Sequence, residues 1–531
     1  MYVIGIEGTA HTFGAGIVTG EKIISNVKHT FVPKVGGIHP REAAIHHFEH
    51  APSIIASSLK EAGLKMSEID LVTFSMGPGL GPCLRIAATS ARSLALSHNK
   101  PIIGVNHPLG HIEIGRKLGD AYDPVILYVS GGNTQVIAHG NGRYRVFGET
   151  IDIGIGNMLD KLARHMGFPF PGGPEIEKMA GKGSKLLDMP YSVKGMDTSF
   201  SGILTAALSY LKKGETPEDV CFSVQEYSFA MLVEVLERAM KHLGKREILL
   251  TGGVALNSRL RKMVEIMGTD EGARIVSTPK EYCMDNGAMI AEAGMRMYLS
   301  GARHVMQDTG TRQDFRIDEV DAPWVMSRSP ETEAFSGSES ILQPAIYHGR
   351  NGILKTRLPK TYRHHDLDES IRYSRLRNET SLLSGMRSVG IPVPILLDID
   401  FVQHSMTTSL IKGMTFRDYL VQSESPGNLP HDLGVIIGKM HEHGISHGDL
   451  TTSNVIFSEK LYLIDPSMGK TAASLEELAA DLVMLEESFR SAHGEMPELW
   501  DLFRASYEKE CRKGGEILAA CEAIKGRRRY V

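Results

Sequence analysis

Three stretches of this chain share one form, an apolar run ending in a turn of small residues: IGIEGTAHTFGAGIV (Ile4 to Val18), ILYVSGGNTQVIAHG (Ile126 to Gly140) and ILLTGGVALNSRLRKMV (Ile248 to Val264). That recurrence restricts the fold more than any other feature. Short apolar runs bounded by glycine and followed by helical periodicity are the pattern of α/β architecture, and the candidate strands are Val3 to Ile6, Leu71 to Ser75, Val125 to Ser130 and Ile248 to Thr251. Each turn is expected to lead into a helix. Small residues let a backbone approach an anion closely and a helix start adds unpaired N–H donors, so three such turns point to a nucleotide or acyl-adenylate ligand. The two strand–Gly-Gly segments hint at an internal duplication.

The pattern stops near Pro323. Ser327 to Ser340, SRSPETEAFSGSES, has almost no aliphatic residue and cannot bury a core, so it reads as a linker. The expected division is residues 1–325, a linker at 326–340, and residues 341–531. A length of 531 residues suits several domains, and 42% hydrophobic with 23% charged residues is the composition of a chain that forms cores. Residues 1–340 carry 35 basic and 38 acidic side chains and the remainder 23 and 25, so neither part has the basic excess of a self-sufficient nucleic-acid binder. Five scattered cysteines, none spaced C-x-x-C, argue against disulfides or a thiolate zinc site. With no charged leader and no long apolar run, the expectation is a cytoplasmic protein without a membrane partner.

The sharpest local signal in the first part is Asn106-His107-Pro108-Leu109-Gly110-His111. Proline suits the first turn of a helix, which places His107 at a helix start and His111 one turn on. Two imidazoles at i and i+4 can share a divalent metal, although paired core or capping histidines would have the same spacing. Pro108 stands where a zinc protease of the H-E-x-x-H type needs its glutamate.

Together with GIEGTAHTFGAGIV, LYVSGGNTQVI, DKLAR (Asp160 to Arg164), FPGGPEIEK (Phe170 to Lys178), DTSFSGI (Asp197 to Ile203), TGGVALNSRLR and YCMDNGAMIA (Tyr282 to Ala291), this segment resembles the TsaD/OSGEP family over residues 1 to about 322. The resemblance implies an actin/heat-shock-ATPase/sugar-kinase-like fold of two α/β subdomains with the ligand in the cleft, and a role as the catalytic subunit of tRNA threonylcarbamoyladenosine synthesis within the KEOPS complex. It implies a metal, iron or zinc, on His107, His111 and Asp285 with Tyr128 close by. It places threonylcarbamoyl-AMP against Tyr128, Val129, Ser130, Gly131, Gly132, Asp160, Gly173, Glu177 and Asn257. The implied chemistry is acyl transfer to the exocyclic amine of the adenosine 3′ of the anticodon, with AMP leaving. Glu7, in the first glycine turn, is a candidate general base or a turn-capping residue.

In the second part, HEHGISHGDLTTSNVIF (His441 to Phe457) and LYLIDPS (Leu461 to Ser467) carry the kinase spacing H-x-D-x-x-x-x-N with an aspartate sixteen residues after the first. That spacing assigns Asp449 to the attacking hydroxyl, Asn454 to metal and Asp465 to Mg²⁺ bridging the phosphates of ATP. Lys355 on a strand and Glu379 on a long helix (Leu367 to Gly390) fit the lysine–glutamate ion pair, while Gly349 and Gly352 are what remains of a phosphate-covering loop. Gly448 replaces the usual arginine, Pro466-Ser467 replaces Phe-Gly, and only 66 residues follow Asp465, which disfavours a peptide-recognising kinase. The segment resembles the RIO-like atypical kinase of KEOPS, the PRPK family, and implies a small bilobal α+β domain with ATP and Mg²⁺. The basic tail Lys525 to Val531 fits contact with tRNA phosphates or with the chain's own ATP cleft, or a frayed end. The expected partners are therefore tRNA, threonylcarbamoyl-AMP, ATP and other KEOPS subunits. The competing readings are a metalloprotease-like first part and a second part that only binds nucleotide and docks partners.

Overall fold

The computed structural model describes residues 1–33, 37–326, 340–423, 427–493 and 498–528. They fall into two compact units, divided within the segment expected as a linker, most of which (327–339) lies outside the described residues.

The first unit holds two five-stranded sheets. One is β1 (Val3–Glu7), β2 (Thr12–Val18), β3 (Ile23–Thr30), β4 (Leu71–Gly77) and β5 (Ile102–Asn106) in the order β3-β2-β1-β4-β5. The other contains β6 (Val125–Val129), β7 (Thr134–Gly140), β8 (Arg143–Glu149), β11 (Glu247–Thr251) and β12 (Arg274–Ser277), with a small hairpin of β9 (Val193–Lys194) and β10 (Asp197–Thr198) elsewhere. Its order is β12-β11-β6-β7-β8. In each sheet the first strand pairs antiparallel with the second and parallel with the fourth, so both follow one plan, but the two strand–Gly-Gly segments read as a hint of duplication are β6 and β11 of a single sheet, so the repeat relates the two sheets and not those segments. The helices are α1 (Pro40–Ala62), α2 (Gly81–Ser97), α3 (His107–Gly119), α4 (Ile155–His165), α5 (Gly173–Ala180), α6 (Ser201–Lys212), α7 (Pro217–Leu243), α8 (Ser258–Asp270), α9 (Lys280–Cys283) and α10 (Gly287–Leu299).

The expectation that every glycine turn leads into a helix is corrected. Glu7–Thr12 and Val129–Thr134 close antiparallel hairpins, and only the turn after β11 passes into a helix, through a 3₁₀ turn at Gly253–Leu256. The misreading has a physical source: β2 is buried at every position, so it shows no polar alternation to mark a strand. Nor do the glycines of β1 and β2 face an anion. A Cβ on Gly5 would stand 2.3 Å from the Ala291 nitrogen, and one on Gly16 would stand 2.3 Å from the Ala288 nitrogen. Both are spaces for α10, which lies backbone-to-backbone on the sheet.

The second unit begins with the antiparallel sheet β13-β14-β16-β15, made from β13 (Ser340–Tyr347), β14 (Arg350–Arg357), β15 (Leu396–Asp400) and β16 (Ser405–Ser409), with α11 (His365–Ser388). A second, mainly helical part carries β17 (Met414–Thr415), β18 (Val455–Phe457) and β19 (Leu461–Leu463) with α12 (Phe416–Gln422), α13 (Leu429–Glu442), α14 (Leu475–His493), α15 (Glu498–Glu510) and α16 (Gly514–Arg528). One apolar core of Leu383, Met386, Phe416, Ile437, Leu463, Leu482 and Phe503 joins the two parts. This is a small bilobal α+β domain of the kinase kind. Residues 529–531 of the basic tail lie outside the described residues, while Lys525 pairs with Glu486 at 2.6 Å.

Candidate functional site

The histidine pair is set by a strand end and a helix start. Asn106 closes β5 and caps α3, its side-chain oxygen accepting from the Leu109 N–H at 3.1 Å while its amide donates to the Phe315 carbonyl at 2.8 Å. His107 is therefore the first helical residue and His111 follows one turn later, with ring centroids 4.8 Å apart. Asp285 arrives from far along the chain. It immediately precedes Asn286, the cap of α10, whose oxygen accepts from the Met289 N–H at 3.0 Å. The close seating of α10 on β1 and β2 brings Asp285 Oδ1 to 3.5 Å from His107 Nε2 and 3.3 Å from His111 Nε2.

Glu7, fully buried at the end of β1, completes the cluster. Its Oε1 accepts from the Thr9 N–H at 2.7 Å and its Oε2 lies 3.0 Å from His107 Nδ1. Glu7 thus caps its own turn and holds the imidazole, and nothing in the sequence marked that contact. Burial opposes charge on His107, but Glu7 and Asp285 outweigh it and hold its pKa up at about 9. His111, buried beside His107, is pushed down instead. Asp285 is held well below the usual carboxylate range, the two histidines overcoming its burial.

These residues fit a divalent transition metal. One donor atom each from His107, His111 and Asp285 lies within 4.8 Å of the others, the His107 Nδ1–H is taken by a carboxylate so that Nε2 faces Asp285, and His111 Nδ1 is buried without a hydrogen-bond partner among the described residues. Tyr128, at 5.2 Å from the His111 ring centroid, borders the cluster; burial first, and then Asp285, push its hydroxyl well above the phenol range.

The residues expected on the adenylate gather on the second sheet's side. Tyr128 and Val129 end β6, and a tight turn follows in which the Ser130 N–H donates to the Asn133 carbonyl at 2.8 Å. Gly131 and Gly132 are exposed at its tip, with the Gly131 carbonyl accepting from the Asn157 N–H of α4 at 2.8 Å. Gly252, at φ +94° and with no room for a Cβ beside the Val129 carbonyl, allows the turn after β11 to cross β6. Asp160 accepts from the Gly172 N–H at 2.7 Å at the start of α5, where a Cβ on Gly173 would point into open space. Asn257 and Glu177 both serve the start of α8: Asn257 accepts from the Arg259 N–H at 2.9 Å, and Glu177 accepts from the Ser258 N–H at 2.8 Å.

In the second unit Lys355 lies on β14 and reaches Glu379 of α11 at 2.8 Å and Asp465 Oδ1 at 2.7 Å. Burial opposes the ammonium charge, but Asp465 and Glu379 outweigh it and raise its pKa. Arg357, two residues on along the same strand face, also pairs with Glu379; the shared Lys-x-Arg face was the overlooked signal. Asn454 donates to the Asp449 carbonyl at 2.8 Å and to its carboxylate at 3.0 Å. Asp465 has φ +58°. Gly448, at φ +80°, lies directly under Met468, where a Cβ would stand 2.2 Å from the Met468 carbonyl carbon, so no arginine fits there. Asp481 of α14, a residue the motif did not flag, accepts from the His447 and Gly448 N–H groups at 2.5 and 2.7 Å and so fixes the loop before Asp449. Gly349 occupies a two-residue hairpin turn with His348, both with positive φ, and Gly352 lies against the Thr408 carbonyl of β16.

A family model described as TsaD, tRNA N6-adenosine threonylcarbamoyltransferase, matches residues 21–292. The chain belongs to the TsaD family. It is also similar from end to end to proteins described as "Probable bifunctional tRNA threonylcarbamoyladenosine biosynthesis protein": 54% identical to that of Thermoplasma volcanium and 51% to that of Thermoplasma acidophilum, each over 100% of both chains. The counterpart in Methanobrevibacter smithii is 45% identical over 99% of this chain and 98% of its own. The TsaD match ends before the second unit, whereas the matches to the bifunctional relatives span both.

Proposed function

We propose that the first unit transfers the threonylcarbamoyl group from threonylcarbamoyl-AMP to the exocyclic amine of the adenosine 3′ of the anticodon, in tRNAs reading codons that begin with A. The observation that carries this reading is the convergence of His107, His111 and Asp285 beside Tyr128, at the end of the strand whose following turn opens toward α4. A divalent ion, iron or zinc, held by those three side chains would supply Lewis-acid polarisation of the carbamoyl carbonyl. The chain's own residues do the rest. Glu7 orients His107 through Nδ1, the exposed Gly131–Gly132 tip and the N-terminus of α4 receive the adenylate, and Asp160 holds the start of α5 beside them. Because Glu7 is occupied by Thr9 and His107, it supports the site more readily than it removes a proton from the tRNA amine.

The second unit, in this reading, is an atypical kinase or ATPase that supports the transfer cycle, with Lys355 and Glu379 on the ATP phosphates, Asp465 and Asn454 on Mg²⁺ and Asp449 on the nucleophile. The intact Lys355–Glu379–Asp465 arrangement favours catalysis over a mere docking role. Near-neutral charge in both parts supports a need for small partner subunits in tRNA binding. Labelled threonylcarbamoyl supplied as its adenylate, with tRNA and those subunits, is expected to reach tRNA with the intact chain and not with His111→Ala. Equal labelling by both, or none by either with metal supplied, would overturn the proposal.

A further inference from the structure

A second histidine cluster lies on the first sheet's surface, sharing no residue with the His107 site. His46 and His50 stand four residues apart on α1 and so face one side of the helix, and β3, packed along α1, presents His29 to them. His29 Nδ1 lies 2.6 Å from His46 Nε2, and one nitrogen from each of the three rings lies within 4.8 Å of the others. We propose that His29, His46 and His50 bind a second divalent transition metal of the zinc, nickel or copper class, which clips β3 to α1.

Three observations support the assignment. His50 Nδ1 is 3.0 Å from the His46 carbonyl oxygen and must donate to it, which fixes the tautomer and leaves the Nε2 lone pair for a ligand. His46 Nδ1 faces His47 Nδ1 at 3.3 Å, which leaves His46 Nε2 directed at His29. At 2.6 Å His29 Nδ1 and His46 Nε2 share a proton, which an ion bound to both would displace while spreading the two nitrogens to about 3.3 Å. An all-imidazole donor set suits zinc, nickel and copper and not magnesium or calcium, which seek oxygen. The rings are stacked, with centroids 4.2 to 4.8 Å apart, and closing on an ion requires them to fan out about Cβ–Cγ. Exposure of His29 and half-burial of the other two leave room for that movement and for water as a fourth ligand.

The test is a Co²⁺ titration of untagged, chelator-stripped full-length chain, read by visible ligand-field bands and calorimetric stoichiometry. His111→Ala, which disables the first site, is expected to retain one equivalent with the bands of a nitrogen-rich centre, and adding His29→Gln and His50→Gln is expected to abolish it. In the chain with His111 intact, the two glutamine substitutions should lower the stoichiometry by one, which guards against a poorly folded His111 variant. No Co²⁺ lost on replacing His29 and His50 in either background would mean an imidazole stack only, and would overturn the proposal. Failure of threonylcarbamoyl transfer would not, because the two sites share no ligand.

Discussion

In the first unit the candidate ligands hang from helix starts that are capped by asparagines, buried, and pressed together because glycines admit α10 onto the sheet. In the second unit the charged groups come from a strand, a helix and a loop, and Asp465 sits in the left-handed region with a side chain 38% exposed. The first arrangement is set by close backbone packing, so its geometry depends on contacts far from the donors. The second is held by ion pairs across two parts of a small domain, so on the proposed reading it rests on charges that a bound nucleotide would compete for. One chain thus uses shape to assemble one centre and charge to assemble the other.

The largest effect that would sharpen this contrast is on transfer itself. His111→Ala or Asp285→Ala should lower threonylcarbamoyl transfer about 10³-fold or more while leaving ATP hydrolysis intact, as measured on the same preparations. Lys355→Ala should do the reverse. It strands Glu379 beside Arg357 and leaves Asp465 without its lysine, so ATP hydrolysis should vanish and urea unfolding of the second unit should lose about 3 kcal/mol. If the first unit depends on close backbone packing, Gly16→Val should cost it about 3 kcal/mol and weaken metal binding although it touches no ligand.

A smaller effect concerns protons. His47 is buried beside His46 and His11, and burial first, then those neighbours, hold it down at about 4 against an ordinary 6.5. The unfolded state therefore binds the proton more readily. Stability of the first unit should be full above pH 6.5 and fall by up to about 3 kcal/mol as pH drops through that value toward 4. His47→Gln should flatten that part of a urea-stability profile. Smallest of all, Glu7→Gln keeps a turn cap but loses the carboxylate on His107, and should weaken metal affinity about 10- to 100-fold by competition titration.

Local features were readable in the sequence and distant ones were not. The spacing of His107, Pro108 and His111 announced its helix start, and the kinase-like spacing of Asp449, Asn454 and Asp465 placed a loop and the segment after β19. The pairing of Glu7 with His107 spans 100 residues and has no local signature. Asp285 entered through resemblance alone, since an aspartate before a helix is common. The glycines misled because a glycine that admits a helix and a glycine that admits a phosphate look alike in one dimension. Asp481 escaped because its partners are backbone N–H groups, which no side-chain pattern records.

The most direct test of two separately built centres in one chain is a paired assay of His111→Ala and Asp449→Ala. Threonylcarbamoyl transfer to tRNA and ATP hydrolysis are measured on each, with tRNA and partner subunits present. The account predicts that His111→Ala abolishes transfer and keeps ATP hydrolysis, while Asp449→Ala abolishes hydrolysis and keeps transfer from supplied adenylate in a single turnover. Loss of both activities in either variant, with folding intact by circular dichroism, would contradict it.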